Sequence, residues 1–126
     1  MRKTICAVLG SGNIGTDLTI KLLRRGQNVE IGLVVGFNPA SEGLATALGL
    51  GILTAHGGFD RLRRHPVYAD VGIVFDATSA SAHATHAPVL AADGKRTVDL
   101  TPAALGPYVV PAVNIGELAQ RPTSTW

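Results

Sequence analysis

Short apolar runs alternate along this chain with stretches in which apolar residues recur at helical spacing. Thr4–Leu9 is apolar almost throughout and reads as a buried strand. The stretch from Thr16 to Arg25, with Ile14, Leu18 and Leu22 on one face, reads as a helix, stopped by Arg24, Arg25 and Gly26. Val29–Gly36 predicts a second strand, broken at Asn38-Pro39. Ser41 is placed to cap a short helix carrying Leu44, Ala45 and Leu48. A weak strand at Ile52–Thr54 and a polar helix over Gly58–Arg64 follow. The clearest later strand is Val71–Phe75, and a helix is expected from Thr85, with Pro88 in its first turn. A strand near Thr97–Asp99, a turn at Thr101-Pro102, a run at Tyr108–Val110 and a helix over Ile115–Gln120 complete the pattern.

Strands that are apolar throughout and separated by helices imply an α/β fold, a Rossmann-like doubly wound parallel sheet covered on both faces. Residues 1–120 are expected to form one such domain, and 121–126 a divergent tail. In such sheets ligands bind at the carboxyl edge of the strands. That edge would carry the first loop, Asn38, Thr54, the Asp76–Ser81 loop and Leu100-Thr101-Pro102.

Gly10-Ser11-Gly12-Asn13-Ile14-Gly15 stands between the first strand and the first helix. Gly10 permits the tight turn, Gly12 lacks the Cβ that would obstruct a phosphate, and Gly15 lets helix and strand approach. The helix N-terminus supplies unpaired N–H groups to an anion. The motif points to a dinucleotide; a methyl-donor cofactor and a ligand-free glycine turn are the alternatives. After the second strand, where an NAD site carries an acidic residue, this chain has Asn38. Asparagine can bond a ribose hydroxyl without repelling a 2′-phosphate, and no Arg or Lys stands beside it. NAD is therefore favoured and NADP left open. Thr78 and Ser79, after the fourth strand, are either helix caps or contacts on the nicotinamide side.

Apolar residues make up 46% of the chain and charged ones 16%, which suits a packed core. A net charge of +2 with dispersed basic residues gives no nucleic-acid footprint. No run approaches the roughly 20 apolar residues of a membrane span. The single cysteine, Cys6, lies inside the first strand and reads as core; it fits a reducing compartment. His83 and His86 lack a Cys or acidic cluster at ligand spacing and read as surface residues, so no metal site is expected.

Three strings, Gly10–Leu18, Val74–His83 and Val98–Pro107, together resemble the acylating acetaldehyde dehydrogenases of aromatic-compound catabolism, a likeness running from about residue 3 to 120. The resemblance implies a cytoplasmic oxidoreductase that converts acetaldehyde, coenzyme A and NAD to acetyl-coenzyme A and NADH. It also implies a 4-hydroxy-2-oxovalerate aldolase partner. It maps cofactor contacts onto Ser11, Gly12, Asn13 and Ile14, and the family's acidic position onto Asn38. The family's nucleophilic cysteine sits in a Thr-Cys-Gly-Gly-Gln segment that these 126 residues do not contain, and the family's second domain is expected to be absent. The chain is therefore expected to be the cofactor half alone, truncated before the catalytic cysteine, inactive by itself and prone to self-association through faces meant for the missing part. The alternatives are a free-standing NAD(P)-binding or aldolase-docking module and an inert remnant.

Overall fold

A computed structural model describes residues 3–26 and 28–101. The run at 108–110, the helix expected over 115–120, the 101–102 turn beyond Thr101 and the domain limit at 120 lie outside the described residues.

Among the described residues, five parallel strands form one sheet: β1 (Thr4–Leu9), β2 (Val29–Gly36), β3 (Thr54–His56), β4 (Ile73–Asp76) and β5 (Arg96–Asp99). Their order is β3-β2-β1-β4-β5. The chain moves outward from β1 to β3, then returns to the other side of β1, so the topology reverses between β1 and β4. The helices are α1 (Asn13–Arg25), α2 (Glu42–Gly49), α3 (Gly58–Arg64) and α4 (Ala80–Ala92), with a 3₁₀ turn at Pro66–Asp70.

Alternation along the strands sorts the core into two layers. Cys6, Val8, Ile73 and Phe75 face Leu18 and Leu22 of α1 and Leu44 of α2. Ala7, Leu9, Leu33 and Val74 face Leu62 of α3, Tyr68 and Leu90 of α4. Cys6, Ala7 and Val8 are fully buried at the centre of the sheet, which is why β1 carries no polar alternation.

The boundaries depart from expectation in four places. α1 begins at Asn13 rather than Thr16, because Gly12 supplies the carbonyl that accepts Thr16 N–H at 2.9 Å. β3 begins at Thr54: Ile52 instead donates its N–H to Ala47 O at 3.0 Å and packs in the core as the exit of α2. β4 is Ile73–Asp76, beginning two residues later and ending one residue later than expected, because Val71 closes the 3₁₀ turn by donating its N–H to Tyr68 O. α4 begins at Ala80, not Thr85, because Ser79 caps it by accepting Ala82 N–H at 3.2 Å. Pro88 thus falls inside the helix, where it cannot donate to the carbonyl of Ala84. Both residues are exposed, so water can serve that carbonyl.

Candidate functional site

The carboxyl ends of β1, β2 and β4 surround a cleft of about 470 Å³. Each end is tied to the next: Gly10 N–H donates to Val35 O, and Ala77 N–H to Leu9 O, both at 2.8 Å. The cleft therefore opens at the topological reversal beside β1, where parallel sheets of this class bind ligands.

Its floor is the first loop. Gly10 has φ +109°, a left-handed conformation, and a Cβ there would lie 2.8 Å from Ala77 O. At Gly15 a Cβ would lie 3.0 Å from the Gly10 carbonyl carbon and closer still to its oxygen, so α1 sits directly on the turn. Gly12 differs: a Cβ there would meet no protein atom within 4 Å. Its missing side chain leaves open cleft rather than room for protein. Gly12 is also the N-cap of α1; no side chain caps this helix, and its first turn holds no acidic residue. The result is a helix N-terminus with its donors turned to a concave, uncharged opening, which fits a diphosphate.

The loop is braced from behind. Ser11 and Ser41 hydroxyls share a hydrogen bond of 2.7 Å, and the Ser11 Oγ lies where a Cβ at Gly36 would be. The Ser41 hydroxyl, read from sequence as the cap of α2, is thus spent on the loop and makes no cap bond. Asn38 is exposed at the second wall; its Oδ1 accepts Ala40 N–H at 2.9 Å, which leaves the amide free to turn to a ligand. Phe37 beside it is 64% exposed, and it too lines the cleft.

The third wall is Ala77, Thr78 and Ser79. Thr78 donates both its N–H, at 3.1 Å, and its hydroxyl to Asp76 Oδ1. Asp76 is fully buried. Burial pushes its carboxyl up, but hydrogen bonds from Thr78, His86 and His83 outweigh that and hold it below the ordinary value of about 3.8. His83 and His86 are not the surface residues expected from sequence: their Nδ1 atoms lie 2.8 and 2.9 Å from Asp76 Oδ2, and His86 is buried.

Of the residues predicted from sequence, the structure brings Gly10, Ser11, Gly12, Asn38, Thr78 and Ser79 around one cleft. Asn13 lines an adjoining hollow with Thr16 and Glu42. Ile14 packs on the core and Gly15 is buried, so both serve the loop from beneath. Phe37, Ser41 and Ala82 complete the lining unforeseen; the position of Phe37 and Ser41 just after the second strand was the signal for them. Among the described residues no group of acidic, His or Cys side chains could hold a metal, and no helix is long and apolar enough to cross a membrane.

The sequence profile of a family described as "Semialdehyde dehydrogenase, NAD binding domain" matches residues 6–121. The chain belongs to this family. Among curated relatives, it is 56% identical over 116 residues to "Acetaldehyde dehydrogenase 1/2" of Rhizorhabdus wittichii, covering 92% of this chain and 37% of the relative. It is 59% identical over 114 residues to "Acetaldehyde dehydrogenase 2" of Novosphingobium aromaticivorans, covering 90% of this chain and 36% of the relative. The chain thus spans little more than a third of these relatives. Among solved structures, GenD2 from gentamicin A biosynthesis in complex with NAD superposes with a TM-score of 0.65 at 22% identity, over 78% of this chain and 26% of that one. The WlbA dehydrogenase, in complex with NADH and UDP-GlcNAcA, gives 0.64 at 24% identity, over 80% of this chain and 27% of that one. These two likenesses establish the doubly wound fold. The family assignment makes this a dinucleotide-binding domain of an oxidoreductase family.

Proposed function

We propose that this chain is the NAD-binding part of an acylating acetaldehyde dehydrogenase, which converts acetaldehyde, coenzyme A and NAD to acetyl-coenzyme A and NADH. The observation that carries the reading is the uncapped N-terminus of α1, opening over Gly12 into an uncharged cleft, in a chain more than half identical to proteins named acetaldehyde dehydrogenase. The backbone N–H groups of Ser11, Gly12 and Asn13 bind the diphosphate, with Gly10, Ile14 and Gly15 shaping the loop. Asn38 binds the adenosine ribose, and Thr78 and Ser79 approach the nicotinamide side. Bound NAD supplies the hydride acceptor.

The nucleophile that adds to the aldehyde is not Cys6. Burial, with a smaller contribution from Glu30, pushes its thiol up to about 12, and it lies fully buried inside the sheet. A thiol so placed is neither ionised nor reachable. The 126-residue chain by itself therefore binds NAD without oxidising aldehyde. The family reading further assigns it to the cytoplasm, to aromatic-compound catabolism and to an aldolase partner that supplies the aldehyde. It places the domain limit near residue 120 and expects self-association of the isolated domain.

Calorimetric titration of the purified chain with NAD tests the cofactor assignment. Saturable binding near one equivalent is expected. NAD at a hundredfold its dissociation constant adds about 2.7 kcal/mol of stability, so the melting temperature rises with it. No heat and no thermal shift at millimolar NAD would overturn the assignment.

A further inference from the structure

Asp76 divides its two carboxylate oxygens between two tasks. Oδ1 takes the N–H and hydroxyl of Thr78, in the turn that walls the cleft. Oδ2 takes both imidazoles, His83 at 2.8 Å and His86 at 2.9 Å. An ionised carboxylate only accepts, so each ring must carry its hydrogen on Nδ1. His86 is fixed in turn by stacking on Phe59, with centroids 4.2 Å apart. His83 Nε2 lies 3.8 Å from Asp99 Oδ2, and Asp99 Oδ1 accepts Thr101 N–H at 2.9 Å. The cluster thus joins the ends of β4 and β5 to the first two turns of α4.

A turn at the end of a strand needs one oxygen from an Asp; it needs no histidine. Capping of α4 does not need Asp76 either, because Ser79 performs it. What the two imidazoles add is a fixed side-chain angle for Asp76, and hence a fixed position for Thr78. We propose that Asp76, His83 and His86 form a positioning network that holds the Thr78–Ser79 turn in the shape that grips the dinucleotide. The proposal rests on the cleft being the cofactor site. Asp76 and both histidines are positioning residues; none of them lines the cleft.

The experiment combines imidazole ¹⁵N NMR of the full chain with NAD titrations of variants. Wild-type His83 and His86 are expected to carry their hydrogen on Nδ1, and these signals are expected to shift when NAD is added. Asp76→Asn turns an amide donor against either both ring N–H groups on Oδ2 or, flipped, the Thr78 N–H and hydroxyl on Oδ1, so NAD affinity should fall about tenfold, the equivalent of one charge-assisted hydrogen bond. His86→Gln should fall similarly. Thr78→Val should bind several-fold more weakly than Thr78→Ser, which keeps the hydroxyl on Asp76. The Thr78 pair still decides the matter if Asp76→Asn or His86→Gln fails to fold. Hydrogen on Nε2 of both rings, or folded Asp76→Asn, His86→Gln and Thr78→Val proteins with wild-type affinity, would overturn the network while leaving the cofactor assignment intact. A wild-type chain that does not bind NAD overturns both.

Discussion

Two glycines three residues apart should fail in opposite ways when given a methyl group. At Gly12 the backbone is extended, with φ −77° and ψ −164°, which alanine adopts freely. No protein atom lies within 4 Å of the new Cβ. Alanine reduces unfolded-state entropy, worth about 0.4–1 kcal/mol in favour of the fold, but is a poorer N-cap than glycine by a similar amount. The two effects cancel, so Gly12→Ala should melt within about 2 °C of wild type. Its methyl fills cleft where the diphosphate would lie. Displacing one charged oxygen from backbone N–H groups costs about 1.5–3 kcal/mol, or about 10- to 150-fold in NAD affinity.

At Gly15 the balance reverses. The new Cβ would press on the Gly10 carbonyl, and both partners are backbone, so no side chain can give way. Gly10 is itself held by its bond to Val35 O. The upper end of overpacking costs applies, about 3 kcal/mol; alanine's helix propensity returns about 1. A net loss near 2 kcal/mol lowers the melting temperature by about 8 °C. Calorimetry and NAD titration of both variants check this. Gly12→Ala binding within twofold of wild type would show that the diphosphate does not cross Gly12, and an unchanged melting temperature for Gly15→Ala would refute the close approach of α1 to the turn.

Asn38→Asp preserves the acceptor for Ala40 N–H and adds a negative charge at the ribose. It should lower NADP affinity about fivefold relative to NAD, the effect of one charge near 4 Å in water; an unchanged ratio refutes the ribose assignment. Cys6, with its thiol pushed up to about 12, should react with a disulfide reagent at pH 8 at least about a hundredfold more slowly in the folded than in the unfolded chain. Fast native modification would count against its place in the core. The Tyr68 phenol, which donates to Asp93 at 2.6 Å, is raised to about 12, first by burial and then by Asp93. Above its ordinary value of 10 the unfolded chain loses this proton and the folded chain keeps it, so stability falls as pH rises from about 10 to 12. Tyr68→Phe should flatten that limb in alkaline melting curves; an unchanged slope refutes it.

The sheet is legible because β1 is buried on both faces and so is apolar from Ile5 to Leu9, and because glycines at fixed spacing mark the turn after it. The start of α4 is not. Its first turn, Ala80-Ser81-Ala82-His83, has no apolar periodicity, so the pattern points to a start near Thr85 with Pro88 in the first turn. The capping hydroxyl of Ser79 decides the true start. His83 and His86 have no Cys or acidic cluster at ligand spacing, and so read from sequence as surface residues. Their partner is a carboxylate at the end of the preceding strand, seven and ten residues earlier. An Asp closing a buried strand, followed by two histidines one helical turn apart, was the available signal.

Ser11 shows why a correct residue can be given an incomplete role. Sequence places it in the phosphate loop, where a hydroxyl invites a reading as a ligand contact. In the fold that hydroxyl is hydrogen-bonded to Ser41 and crowded by the backbone of Gly36, while the Ser11 carbonyl is where a Cβ at Gly43 would be. Its side chain therefore faces α2 and fastens the loop to it. What Ser11 can offer a dinucleotide is its main-chain N–H. Thr78 has less to offer, because its hydroxyl and its N–H are both committed to Asp76. The side chains that give the motif its polar look hold the walls in place, and the contacts left for a diphosphate come from backbone at the mouth of α1. A loop built this way tolerates little change in the residues packed behind it. That is why Gly36 and Gly43, outside the motif, are as constrained by space as Gly10 and Gly15 within it.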